Sequence, residues 1–165
     1  MFKKNTGIYM KKLPKITCFL IPFLMVSPLI AIIAVFLVFI KLNDIKTEKL
    51  TNEMLNGPIP NSTEVIEIIS GCGNTTGTGN DVEIWIGLLV KSELSKEELL
   101  KFYRNLYGKD IQVYEVAADS SRYSLTMDIL KIEFNSLKNL SNYDNHFIIE
   151  RPEEAVFENF DFRGW

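Results

Sequence analysis

Residues 82–107 read VEIWIGLLVKSELSKEELLKFYRNLY, a strand pattern followed directly by a helix pattern. The first nine residues are rich in β-branched and aromatic side chains, and every even position is apolar. Ser95 is placed to cap a helix over residues 96–107, and Glu98, three positions later, completes a capping box. The stretch therefore predicts a strand and a helix that begins at a defined residue.

The predicted helix has one apolar face. Four residues follow the three-and-four spacing of a buried stripe: Leu99, Phe102, Tyr103 and Leu106. Gly108 suits the left-handed position that ends many helices. One face of the helix should therefore pack on an apolar surface, and the preceding strand indicates that this surface is a sheet.

Further strand patterns occupy the rest of the C-terminal region. They cover residues 63–69, 111–116, 122–134 and 146–150. In 122–134 the alternation slips after Ile129, which predicts a β-bulge. The order β-β-α-β-β-β predicts an α+β domain in which one helix packs on a mostly antiparallel sheet.

An uncharged apolar run precedes this domain, ITCFLIPFLMVSPLIAIIAVFLVFI at residues 16–40. As a helix it would reach roughly 37 Å, against about 30 Å of bilayer hydrocarbon. A cleaved secretory signal is the alternative, but the apolar part of such a signal is only about 7–15 residues long. The sequence therefore predicts a single transmembrane helix that acts as a signal-anchor.

Flanking charge predicts the orientation of this helix. Five lysines and no acid precede it, whereas residues 41–60 mix lysines with acids. The positive-inside rule then places the N-terminus in the cytoplasm and the C-terminal domain outside the cell membrane. The expected organisation is a basic cytoplasmic tail at 1–15, the transmembrane helix at 16–40, a juxtamembrane stalk and linker at 41–62, and a small extracytoplasmic α+β domain at 63–165 with an acidic aromatic tail at 150–165.

The extracytoplasmic domain is acidic. Residues 61–165 carry ten lysines and arginines against eighteen acids. Nucleic acids and anionic lipids require basic surface, so this balance disfavours both as partners of the domain. The expected partners are the lipid bilayer, through residues 16–40, and a protein that binds the domain.

A reactive thiol is the only candidate for covalent chemistry. The glycine-rich segment 71–81 lacks the Gly-Lys-Ser/Thr ending and the following helix of a phosphate-binding loop, so a hairpin connection is expected there. It contains Cys72, the only thiol outside the apolar run, and His146 is the only histidine that could act as its base. The alternatives are an ordinary loop thiol and a thiol that pairs between chains. One cysteine and one histidine are too few for structural zinc, so we expect no metal, no cofactor and no assigned catalytic residue.

Aromatic residues are concentrated in the acidic tail. They are Phe157, Phe160, Phe162 and Trp165, interspersed with four acids. Each buried aromatic side chain removes about 150–250 Å² from water, so two interpretations stay open. The rings either fold back over the open face of the sheet or form a docking strip for a partner.

The sequence favours a binding function without naming a process. The leading interpretation is a single-pass membrane-anchored protein that presents a small acidic domain, a non-enzymatic module that binds a protein partner. One alternative is an immunity or inhibitor-type protein that binds a basic toxin. The other alternative is a Cys72-dependent enzyme.

Overall fold

The computed structural model describes residues 15–74, 81–116, 132–161 and 163 and has an α+β architecture. Its helices are α1 (Lys15–Leu55) and α2 (Lys96–Tyr107), and two short 3-10 turns cover Ser136–Asn139 and Glu158–Phe160. Its strands are β1 (Thr63–Gly73), β2 (Glu83–Ser92), β3 (Gln112–Glu115) and β4 (His146–Glu154). The predicted α+β class with an antiparallel sheet is confirmed.

Helix α1 is long and apolar enough to cross a bilayer, which fits a transmembrane or signal-anchor segment. Between residues 26 and 40 of this helix, eight large apolar side chains are exposed: Val26, Leu29, Ile30, Ile32, Ile33, Val35, Leu37 and Val38. The chain divides into two compact units, Met1–Val35 and Phe36–Trp165. Residues 41–55, expected to form a juxtamembrane helix or stalk, are helical, and they contribute Leu50 and Met54 to the core of the second unit.

The described sheet has four antiparallel strands in the spatial order β1-β2-β4-β3. β1 and β2 form a hairpin, and a register shift between Val65 and Glu67 marks a bulge in β1. Most of the strand predicted at 122–134 is untested, because residues 122–131 lie outside the described part of the chain. Residues 132–134 are described and have no strand conformation, so the predicted end of the strand is wrong. The predicted β-bulge in that segment also lies outside the described residues.

The helical face of the sheet forms the larger core. The even residues of β2 lie on this face, together with Leu99 and Tyr103 of α2 and Leu50 and Met54 of α1. Burying such a set of side chains supplies most of the apolar stabilisation of a small domain.

The opposite face of the sheet is also covered. Trp85 and Leu89 of β2 pack there with Phe134 and Leu137, from the segment that carries the first 3-10 turn. Gly87 makes this packing possible, because a Cβ at that position would lie only 2.2 Å from Trp85 Cη2. Strand β2 is therefore buried on both sides, which explains its continuous apolar composition.

Glu67 of β1 fixes the segment that covers this second face. Its two carboxylate oxygens accept hydrogen bonds from the backbone N–H groups of Asn135 and Ser136, at 3.1 and 2.8 Å. Partial burial alone would raise the pKa of Glu67, but these two donors hold it below its ordinary value. The carboxylate thus acts as a cap for the 3-10 turn that follows.

Helix α2 begins at the predicted residue, but a different residue from the one predicted packs in its last turn. Both hydrogen bonds of the Ser95–Glu98 capping box are present, and Gly108 has a φ of 104°, a value that favours glycine. Leu106 is 41% exposed, so its predicted place in the buried stripe is wrong. Tyr107 packs in the last turn instead, where its hydroxyl donates to the Glu53 carbonyl of α1 at 3.3 Å.

Arg151 of β4 connects the two helices to the sheet. It is 8% exposed, forms ion pairs with Glu53 at 3.5 Å and Glu153 at 3.0 Å, and lies 4.9 Å from the centre of the Tyr107 ring. A buried guanidinium needs such partners because desolvation of an isolated charge is costly. The end of α1 is thereby held against α2 and β4.

Candidate functional site

Cys72 lies on the helical face of β1, beside α1. Its side chain is half-buried against the core. Burial raises the pKa of the Cys72 thiol above its ordinary value, although the nearby Arg163 guanidinium acts in the opposite direction. The thiol is therefore predominantly protonated at neutral pH, which is unfavourable for a nucleophile.

The structure does not bring Cys72 and His146 together. Cys72 is opposite Ile84 on β2, whereas His146 is opposite Lys91. Seven residues along a strand span about 23 Å, so His146 is too far away to deprotonate the thiol. The His146 ring instead lies at the start of β4, where Nδ1 is 2.8 Å from the Asp144 carbonyl oxygen.

Asn43 of α1 is the most connected buried polar residue near this region. Its side chain is fully buried, and its Oδ1 accepts hydrogen bonds from the backbone N–H groups of Val156 and Phe157 at 2.9 and 3.1 Å. Its Nδ2 donates to Asp161 Oδ2 at 2.9 Å. One amide thus binds a turn and a carboxylate that both follow β4.

Asp161 and Arg163 complete this contact, which we call the Asn43 clamp (Asn43, Asp44, Asp161 and Arg163). Arg163 makes a bidentate pair with Asp161, at 2.9 and 2.6 Å, and donates to Asp44 at 2.6 Å. Burial would raise the pKa of Asp161, but hydrogen bonds from Arg163 and Asn43 hold it below its ordinary value. The clamp therefore holds a charged carboxylate in a fully buried position with its hydrogen bonds satisfied.

The predicted aromatic strip is only partly within the described residues. Phe157 is half-buried, and its ring stacks on Phe39 of α1 with 4.3 Å between ring centres. This ring packs on the helix and not over the sheet. Phe160 lies in the second 3-10 turn, whereas Phe162 and Trp165 lie outside the described residues. Binding of a partner by the four aromatic residues stays a prediction.

β1 presents backbone groups at the edge of the sheet. The backbone N–H of Ser92 in β2 donates to the carbonyl oxygen of Asn145 at 2.8 Å. The backbone N–H and C=O groups of the even residues of β2 therefore point toward β4, and those of its odd residues point toward β1. The register then directs the N–H and C=O groups of Ile68, Ser70 and Cys72 away from β2. No strand in the described part of the chain pairs with them.

A groove of about 420 Å³ lies between this edge and α1. The α1 side of the groove carries polar side chains, and the β1 side carries small residues. The lining residues are Asp44, Thr47, Glu48, Thr51 and Asn52 from α1, Ser70, Gly71 and Cys72 from β1, and Arg163. A strand edge beside a helix is the arrangement in which extended peptides bind by strand addition, with main-chain hydrogen bonds on one side and side-chain contacts on the other.

The other open stretch of sheet edge, residues 151–154 of β4, is blocked. β3 pairs only with residues 147–150, so an open groove of about 820 Å³ lies beyond its end. The backbone N–H of Val116 donates to the carbonyl oxygen of His146 at 2.9 Å. The backbone N–H and C=O groups of the even residues of β4 therefore point toward β3 and, beyond its end, toward the open groove. Pro152 has no N–H to offer there, and Lys46 donates to the Glu154 carbonyl at 2.6 Å. Proline and lysine at such positions protect a sheet edge from pairing.

The chain matches no family model, no curated protein and no solved structure. The candidate site is therefore defined by its own geometry. Within the described part of the chain, the groove between α1 and the edge of β1, which we call the α1–β1 groove, combines an available strand edge, a polar helix face and a half-buried thiol.

Sequence reasoning missed both the clamp and the groove. Asn43 was one polar residue in a weakly patterned helix, and Asp161 was one of several acids in the tail. Their pairing has no local signal, because 118 residues separate them. The extension of β1 to Gly73 was hidden by its bulge and by the glycines at its end.

Proposed function

We propose that this protein is a single-pass membrane protein whose extracytoplasmic α+β unit binds a protein partner without catalysing a reaction. The apolar helix supplies the anchor, and the five lysines before it support a cytoplasmic N-terminus. The partner contributes an extended segment that lies in the α1–β1 groove and pairs with β1.

The edge of β1, with which no described strand pairs, is the observation that carries this proposal. Three outward-facing residues, Ile68, Ser70 and Cys72, offer backbone donors and acceptors in register. The edge has no proline or lysine to prevent pairing, in contrast to residues 151–154. An added strand would gain main-chain hydrogen bonds there, while the polar helix face selects its side chains.

Orientation is tested first, by thiol labelling in cells. Cys72 is a poor reporter because it is half-buried, so the test uses Asn105→Cys, on an exposed face of α2, together with Cys72→Ser. A membrane-impermeant maleimide should label this variant in intact cells. Labelling that requires permeabilisation would overturn the proposed orientation.

Partner binding is tested by photo-cross-linking in cells. A benzophenone amino acid replaces the exposed Asn52 in the groove wall, and the same substitution at Asn105 serves as the control. We expect a defined cross-linked band from position 52 and none from position 105. The same yield at both positions would overturn the groove as a partner surface.

The mode of binding is tested by a matched pair of substitutions at Ser70. Ser70→Pro removes an outward N–H that β2 does not use, whereas Ser70→Ala keeps it. We expect the cross-linked band to disappear in the proline variant and to persist in the alanine variant. Equal bands in two variants with equal melting temperatures would refute strand addition. If Ser70→Pro does not fold, Thr51→Trp obstructs the groove from the helix side and should have the same effect.

A further inference from the structure

The turn after β4 lies beside the end of the apolar run. Phe39 is the penultimate residue of that run, and Lys41 is the first charge after it. Phe157 stacks on Phe39 with an interplanar angle of 24°. If Phe39 lies at the edge of the bilayer, Phe157 lies at the same depth.

The start of this turn exposes an apolar side chain near exposed apolar residues of α1. Val156 is 51% exposed, and Leu42 and Ile45 of α1 are 39% and 50% exposed. When exposed aliphatic side chains next to a membrane-spanning segment enter the region between headgroups and acyl chains, the free energy of the protein is lowered, because apolar surface leaves water. Val156, whose N–H bonds to Asn43, therefore adds an exposed apolar side chain beside α1 from a distant part of the sequence.

The backbone of the turn is prepared for a poorly hydrated environment. The N–H groups of Val156 and Phe157 both donate to Asn43 Oδ1, so neither depends on water. Backbone groups without partners are the main obstacle to placing an irregular segment in lipid. Arg163 donates to the Ile40 carbonyl at 3.3 Å, so this contact also lies next to the end of the apolar run.

From these contacts we infer that Val156 and Phe157 enter the interface of the bilayer that α1 crosses, so that the domain has a second contact with lipid. This inference rests on the membrane anchor of the proposed function. We assign lipid, and not a protein, as the partner of the exposed side chains of Val156, Leu42 and Ile45, because these residues lie beside the C-terminal end of the apolar run.

Depth-dependent fluorescence quenching tests the inference on the full chain in lipid nanodiscs. A single cysteine at position 156, in a background without Cys18 and Cys72, carries an environment-sensitive fluorophore. The nanodiscs contain phospholipids with a nitroxide near the headgroup or near the chain end. Leu106→Cys is the matched control, because Leu106 is a comparably exposed aliphatic residue on α2. Ile33→Cys reports on the anchor itself.

We expect the headgroup-proximal nitroxide to quench position 156 several-fold more than position 106, and the chain-end nitroxide to quench position 33. Quenching at 33 with equal values at 156 and 106 would overturn the lipid contact and leave the anchor in place. No quenching at 33 would overturn the anchor and this inference with it. A blue-shifted but unquenched fluorophore at 156 would identify a protein surface as the occupant, and this result also overturns the lipid contact.

Discussion

Replacement of Asn43 by alanine should destabilise the second unit substantially. The substitution leaves the N–H groups of Val156 and Phe157 without their acceptor and removes a donor from buried Asp161. A buried polar group that loses its partner costs about 1–3 kcal/mol, and a charged one costs more. Because Val156 is exposed, water can satisfy one of the N–H groups, so we expect a total loss of about 3 kcal/mol.

The loss can be measured as a shift in melting temperature. The unit from Phe36 to Trp165 has 130 residues, so its unfolding entropy is about 0.27 kcal/mol/K. A loss of about 3 kcal/mol then lowers Tm by roughly 10 °C. Circular dichroism and intrinsic fluorescence of the full chain in detergent micelles would both report this transition.

A second asparagine on the same helix provides the control. Asn52 is exposed, so Asn52→Ala should change stability by less than about 0.5 kcal/mol. If Asn43→Ala and Asn52→Ala have the same Tm, the buried amide does not hold the segment after β4, and the energetic role assigned to the Asn43 clamp is refuted.

Three further changes test other parts of the structure. Gly87→Ala places a Cβ 2.2 Å from a ring carbon of Trp85, so urea unfolding should show a loss of about 1–3 kcal/mol, and an unchanged midpoint would contradict the packing described for that face. Asp161 has a folded-state pKa below its ordinary value of 3.8, so its ionised form stabilises the protein above that pH and the contribution is lost as pH falls through the folded pKa. Asp161→Asn should therefore lower Tm at neutral pH, with a gap to wild type that narrows below about pH 4, and a constant gap would contradict the charged clamp. Cys72 should react with maleimide more slowly at neutral pH than a cysteine at Asn105, because burial raises its pKa above 9.0, and equal rates would show that the thiol is exposed.

Local signals explain which elements the sequence predicts well. Helix α2 starts where Ser95 and Glu98 form their capping box, since both partners lie within one turn. Strand β2 follows from its composition alone, because it is central in the sheet and apolar on both faces. In both cases the information lies within a short stretch of chain.

Strand ends were predicted less well, because residues outside each strand decide them. β4 was expected to end at Glu150, yet it continues through Pro152 to Glu154. Proline is tolerated there because its missing N–H faces the open edge of the sheet. No pattern within the strand reveals which edge is open, since that depends on the length of β3.

The segment that covers the second face of the sheet was not predicted either. The aromatic tail was the segment expected to cover that face if its rings fold back, whereas Phe134 and Leu137 pack there. Phe134 ends a predicted strand and Leu137 lies in no predicted element, whereas the segment that carries both is held by Glu67, a residue of another strand. Contacts of this kind are specified by tertiary structure, so a pattern search along the chain cannot find them.

The long separation between Asn43 and Asp161 has a consequence for biogenesis. Ribosomes add about 5–20 residues per second, so the 118 residues between the two partners take on the order of ten seconds to synthesise. During that interval α1 is already synthesised, whereas its buried Asn43 amide and its core residues Leu50 and Met54 still lack their partners. The domain therefore closes only late in synthesis, and under the proposed function insertion of the anchor would come before that closure.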